Sequence, residues 1–194
     1  MNDIKKLVFS THNKNKHAEL QAILPEYKIL NLYDLGCDTE IQESGTTLEE
    51  NAFIKAEFVY KKYAIDCIAD DTGLEVDFLN GAPGVHSARY AGDSCDAKAN
   101  VQKLLHNMQD ADNRLARFKT VIVLFLDGKP YYFNGIIEGT IIREPRGNNG
   151  FGYDPVFVPK GYDKTFAQME AKEKNAISHR ALAVKQLVEF LQKL

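Results

Sequence analysis

With 194 residues, 44% of them hydrophobic, the chain is long enough to bury a sizeable core. Its 24 basic and 27 acidic side chains leave a formal net charge of -3, which excludes the global basic field that drives non-specific binding to nucleic acid or anionic membranes. Cys37, Cys67 and Cys95 share no close spacing and form neither a zinc pattern nor an even-numbered disulfide framework, so reduced thiols are expected.

The opening "MNDIKKLVFSTHNKNK" lacks a hydrophobic signal core, and no stretch approaches the roughly 18 apolar residues of a membrane span. A soluble, cytoplasmic protein without nucleic-acid or membrane partners is expected. Lys6 to Ser10 reads as a strand, "HAELQAIL" as a helix ending at Pro25, and "YKILNL" as a second strand. "TTLEENAFIKAEFVYKKYA" is a long amphipathic helix with Thr46 or Thr47 as N-cap and acids in its first turn. Ile65 to Ala69 forms a third strand that ends at Asp70 and Asp71, followed by a strand-like start, a Gly/Pro loop and a helix around Asp96 to Met108. Two long β-runs then meet at Asp127-Gly128, a hairpin signal. A Gly/Asn loop, a short strand "DPVFVP" and a helix from about Ser178 to Leu194 complete the chain. No repeat or linker interrupts this order, so one α/β unit with a mixed sheet over residues 1–194 is expected.

Four constellations carry chemistry. In "STHNKNK", Ser10 to Lys16, a strand-to-helix junction offers backbone N–H groups and the positive end of a helix dipole. Lys14, Lys16 and His17 crowd that turn at a cost of about 0.3–1 kcal/mol per charge, which a bound polyanion would convert into affinity. The structural alternative is an Asn13 cap followed by solvated lysines. Asp70 and Asp71 sit where open α/β sheets place ligands. One carboxylate would suit a hard cation such as Mg²⁺ and the other a proton from attacking water, unless the pair merely caps a turn with Thr72 and Gly73.

"GNNGFGYDPVF", Gly147 to Phe157, interleaves flexible glycines with Phe151 and Tyr153, as a base-stacking platform or as a hairpin turn with buried rings. In "KNAISHRALA", Ser178 reads as an N-cap, and His179 and Arg180 offer donors to phosphate or to a carbonyl-bearing base edge. A solvated turn is the alternative there. An anion cradle, metal carboxylates, a base platform and carbonyl-reading donors together describe a nucleoside triphosphate site.

Thr11-His12-Asn13-Lys14-Asn15-Lys16 resembles the T-x-N-x-x-K opening of the inosine/xanthosine triphosphate pyrophosphatases. The segments "SGTTLEENAFIKA", "ADDTGLEVDFLNGAPGVHSARYAG", "GNNGFGYDP" and "ISHRALA" follow in the family's order over nearly the whole chain. The resemblance implies Mg²⁺-dependent hydrolysis of ITP, dITP and XTP to monophosphate and pyrophosphate. It also implies a homodimer and a two-lobed α/β fold around a long twisted mixed sheet, with the substrate in a cleft between lobes. Carried over residue by residue, Thr11, His12, Asn13, Lys14, Asn15 and Lys16 would hold phosphates. Asp71 would bind metal and accept a proton, Asp70 would support the metal and Thr72 would touch substrate. Phe151, Gly152, Tyr153 and Asp154 would form the base-side loop, and Lys174, His179 and Arg180 would contact base or phosphates. Where the family often carries two successive acids, this chain has Gln42-Glu43-Ser44-Gly45, so either Glu43 serves the metal or that ligand is missing. A pyrophosphatase for another modified nucleotide and a non-catalytic nucleotide sensor are the competing readings.

Overall fold

The computed structural model describes residues 5–193. In chain order they form β1 (Lys5–Phe9), α1 (Lys14–Ile23), β2 (Tyr27–Leu30), α2 (Leu48–Tyr63), β3 (Cys67–Val76) and β4 (Pro83–Gly84). Then come α3 (Ala97–Asn107), β5 (Leu115–Leu126), β6 (Lys129–Ile141), β7 (Phe157–Pro159), α4 (Ala171–Ile177) and α5 (His179–Leu191). The expected end of the last helix at Leu194 lies outside the described residues. Among those residues no helix is long and apolar enough to cross a membrane.

The sheet is mixed, as expected, with strand order β2-β1-β3-β5-β6-β7 and β4 attached to β3. β1 runs parallel to β2, with Leu7 opposite Ile29, and to β3, with Phe9 opposite Ile68. β4 on β3 and β7 on β6 are antiparallel. β5 and β6 are joined by Asp127 and Gly128, both at positive φ (49° and 76°), the backbone that a two-residue hairpin turn demands.

Two strand boundaries differ from the expectation. β3 does not stop at Ala69 but runs through Asp70, Asp71, Thr72 and Gly73 to Val76, so the aspartates stand inside a strand and cap no turn. The short strand before the last helices is confined to Phe157–Pro159. A further helix, α4, precedes α5, and Ser178 lies between the two in an extended conformation.

The chain divides into two compact units, each assembled from discontinuous segments. The first comprises residues up to Asp71, Thr120–Gly135 and the chain from Arg180 on. Its core gathers Phe9, Leu20, Ile29, Ile68, Ile122 and Leu187. The second comprises Thr72–Lys119 and Ile136–His179, around Leu74, Leu104, Met108, Phe118, Phe157 and Phe166. β5 is buried at every position from Thr120 to Phe125, so this stretch lacks the two-residue alternation of a half-exposed strand. The edge strand β2 does not present bare backbone. Gln21 of α1 donates to Tyr27 O at 2.8 Å and accepts from Ile29 N at 3.1 Å, and His17 meets Ile29 O at 3.0 Å.

Candidate functional site

The first unit carries a cluster of charges built on β3. Successive side chains of a strand point to opposite faces, and Asp70 and Asp71 accordingly meet different cations. Asp70 Oδ1 accepts from Lys16 Nζ at 2.9 Å, and its Oδ2 accepts from Arg180 Nε and Nη2 at 3.3 and 3.1 Å. Arg180, 1% exposed, also pairs through Nη1 with Glu19 on α1. Asp71 Oδ1 lies 3.4 Å from Lys55 Nζ, which donates to Glu43 Oε1 at 2.6 Å. The repulsion between neighbouring carboxylates is thus relieved by a separate cation on each side of the strand.

These surroundings drive the two carboxyls apart. Burial would raise Asp70, but Lys16, Arg180 and Lys55 outweigh it and hold the group well below the ordinary carboxylate value. For Asp71 burial prevails over Lys55 and Lys16, with Glu43 and Asp70 adding to it, so its proton affinity is raised. Burial opposes the charge of Lys55, yet Asp71, Glu43 and Asp70 keep it firmly protonated. One permanently charged carboxylate thus stands beside one carboxyl of raised basicity.

The N-terminal loop is held locally. Ser10 N donates to Ile68 O at 2.7 Å and Ser10 Oγ to Lys55 O at 2.8 Å, joining the loop to β3 and α2. Asn13 is the N-cap of α1, its Oδ1 accepting from Asn15 N and Lys16 N at 2.9 and 3.1 Å. Thr11 Oγ1 accepts from Asn13 N at 3.1 Å, and His12 Nε2 meets Cys37 O at 2.8 Å. Lys14 and Asn15 are solvated, whereas Lys16 turns inward to Asp70. Thr47 caps α2 and closes a capping box with Glu50. Asn51 Oδ1 accepts from Gly45 N at 2.8 Å, and a Cβ at Gly45 would fall 2.7 Å from that oxygen, so the glycine lets the Glu43 loop pack down on the helix. Gln42 is exposed while Glu43 faces Lys55.

The second unit holds the remaining candidates. Asp154 Oδ2 accepts from Phe151 N at 2.8 Å and from Lys174 Nζ at 2.6 Å, and the buried ammonium of Lys174 lies 5.0 Å from the Phe151 ring centroid. Gly150 and Gly152 take positive φ (72° and 63°), and a Cβ on Gly150 would strike the Asp154 carboxylate. Thr72 is half-buried in β3. The His179 ring stacks on Phe118, centroids 4.6 Å apart at 15°.

Two side chains are engaged otherwise than the sequence reading put them, and a third takes the buried alternative of its loop. Asp70, expected beside a metal, has both oxygens committed to Lys16 and Arg180. Arg180, expected to contact base or phosphates, has its guanidinium fork directed to Asp70 and Glu19. Tyr153, left open between a stacking ring and a buried one, is buried in the second core and donates its hydroxyl to Ser87 O at 2.8 Å.

Lys55 and Glu19 were not singled out from the sequence. Lys55 had a legible signal: the buried stripe of α2 is Leu48, Asn51, Ala52, Lys55, Ala56 and Val59, and a lysine in the apolar stripe of a helix needs a buried anion.

Among the described residues no three His, Cys, Asp or Glu side chains converge into a ready metal cage. Asp71 Oδ2, however, is buried and has no hydrogen-bond partner. An orphaned carboxylate oxygen suits Mg²⁺, which binds through one or two carboxylates and keeps water and phosphate oxygens as its other ligands. Asp71 therefore fits the ion, with Glu43 as the neighbouring acid.

Known proteins are similar to this chain over nearly its full length. The model of the Ham1 family matches residues 7–190. A dITP/XTP pyrophosphatase of Flavobacterium johnsoniae is 54% identical over 96% of this chain and 97% of its own. One from Christiangramia forsetii is 52% identical over 97% of this chain and 100% of its own. The solved Ham1 protein of Coxiella burnetii superposes with a TM-score of 0.89 at 40% identity, covering 98% of this chain and 100% of that one. That of Staphylococcus aureus gives 0.88, also at 40% identity, covering 97% and 99%.

Proposed function

Since the chain belongs to the Ham1 family, we propose that it hydrolyses deaminated purine nucleoside triphosphates, dITP, ITP and XTP, to the monophosphate and pyrophosphate. The relatives' shared name, dITP/XTP pyrophosphatase, supports the reaction. The observation that carries it to particular atoms is the buried, unpartnered Oδ2 of Asp71 beside Lys55.

Asp71 holds the water that attacks the α-phosphorus and takes its proton. Lys55 and Lys16 face the charge that develops on the departing pyrophosphate. Asp70, fixed between Lys16 and Arg180, sets where the Lys16 ammonium stands before the triphosphate arrives. Mg²⁺, held by Asp71 with Glu43 nearby, would neutralise phosphate charge and lower the pKa of the attacking water.

Selection of the base follows from donor and acceptor logic. Hypoxanthine and xanthine present a 6-oxo acceptor, whereas adenine presents an amino donor at that position. Donors such as Lys174 and His179 then meet a donor when ATP is bound, and an unpaired buried donor is costly. Phe151 is the ring of the base-side loop. The same reading extends to a homodimeric, cytoplasmic enzyme that keeps these nucleotides out of DNA and RNA.

Release of pyrophosphate from ITP, dITP, XTP, GTP and ATP, with and without Mg²⁺, tests the proposal. Fast release from the first three with Mg²⁺ and poor release from ATP is the expected pattern. Binding of ITP without release would make the protein a sensor, and equal rates for all five would remove the assigned substrate class.

A further inference from the structure

Ser87, in the turn after β4, is a buried hub that the reaction itself does not use. Its Oγ accepts from Leu74 N of β3 at 2.8 Å and donates to Gly84 O at 2.6 Å. Its carbonyl accepts from Tyr153 Oη at 2.8 Å. From the turn after β4, one residue therefore ties three pieces of the second unit: β3, β4 and the loop over residues 147–154. The packing at this junction is tight, since a Cβ at Gly73 would stand 2.6 Å from Gly84 O.

The loop is anchored on its other side as well. Asn149 N donates to Ala167 O and Asn149 Nδ2 to Met169 O, both at 3.0 Å, while Asp154 grips Phe151 N and Lys174 Nζ. Between these anchors lie glycines at positive φ, which do not by themselves hold one backbone conformation. The Tyr153 ring is 4% exposed within the second core, so only its hydroxyl is left for a directional contact, and that hydroxyl meets Ser87.

We infer that Ser87 and Tyr153 form a positioning pair: the Tyr153 hydroxyl on the Ser87 carbonyl, and the Ser87 hydroxyl on β3 and Gly84, fix the loop that presents Phe151. Neither residue touches the reacting atoms. Each acts on the base-side loop through the other, and its link to turnover rests on the function proposed above. Removing either hydroxyl leaves a buried polar group without its partner and loosens one end of the loop.

The test uses the full-length Tyr153→Phe, Ser87→Ala and double variants. Each single change is expected to raise KM for ITP by about two- to tenfold with kcat within about twofold, the size expected of one hydrogen bond. The double variant should be no worse than the poorer single one, because both act through one link. In parallel, amide hydrogen exchange across residues 147–154 should accelerate in each single variant while exchange in β5 stays unchanged. Multiplying KM effects, or unchanged KM and loop exchange with only a lowered Tm, would overturn the pair. Wild-type protein that releases no pyrophosphate from ITP would refute the proposed function, while loop exchange would still decide for or against the pair.

Discussion

Lys16 Nζ and Asp70 Oδ1 stand 2.9 Å apart, joining the first turn of α1 to the middle of β3. The same carboxylate receives Arg180 on its other oxygen, so two cations from distant parts of the chain share one buried anion. Replacing Asp70 by Ala would take the anion from Lys16 and leave Arg180 with Glu19. Loss of one partner of a buried pair costs about 3–5 kcal/mol, and urea denaturation of Asp70→Ala against wild type should read a loss of that order. Stability within error of wild type would show that the two cations find other partners.

Asp71 should behave in the opposite way. Its carboxyl is already disfavoured by burial, so Asp71→Asn removes a charge that the fold opposes. Turnover should fall by about 10²–10⁴-fold, as for loss of a general base, while Tm is maintained or rises. Near wild-type turnover of ITP would exclude Asp71 as proton acceptor.

Acid stability separates the two neighbours by sign. In the folded protein Asp70 titrates below the ordinary 3.8, so protons bind the unfolded chain more readily. Its contribution is complete above 3.8 and is lost as pH falls towards its depressed native value. Asp71 titrates above 3.8 in the folded protein, and its contribution weakens as pH rises from 3.8 through its native value. Urea midpoints between roughly pH 2 and pH 6, without added divalent metal, should show a steep acid limb in wild type. That limb should be flatter in Asp70→Asn, and equal limbs would dissociate acid unfolding from Asp70.

Gly150 is at φ 72°, and a Cβ there would collide with the Asp154 carboxylate. Gly150→Ala should therefore cost about 1–3 kcal/mol in backbone strain. It should also pull Asp154 from Phe151 N and Lys174, raising KM for ITP more than it lowers kcat. An unchanged KM would mean that the loop conformation does not matter for binding.

Chelation supplies a further check. Treatment with EDTA should abolish pyrophosphate release, and Mg²⁺ should restore it in wild type but only feebly in Asp71→Asn. Full activity after exhaustive chelation would discard the metal.

Much of the fold was legible in local signals. The Asp127-Gly128 turn, the Thr47 cap and the apolar stripe of α2 each follow from a few neighbouring residues. The pairing of Asp70 and Asp71 was not legible in the same way, because like charges before a glycine read as a turn, and what keeps them inside a strand arrives from residues 16, 55 and 180. No local pattern reports such distant cations. For the same reason Arg180 read as a free donor at a helix start, although Asp70 and Glu19 occupy its fork. Tyr153 stayed open between platform and core because aromatic rings beside glycines look alike in sequence whether they end up outside or inside. α4 escaped notice because seven residues, mostly polar, carry too little periodicity to register.

The discontinuous make-up of the first unit bears on its biosynthesis. A ribosome that has delivered β1, β2, β3 and β5 has not yet delivered Ala183, Val184 and Leu187, which fill the same core. Nor has it delivered the guanidinium that balances Asp70. Until α5 emerges, that apolar surface is uncovered and Asp70 has Lys16 without Arg180, so nascent chains shortened before α5 should be held by chaperones or degraded.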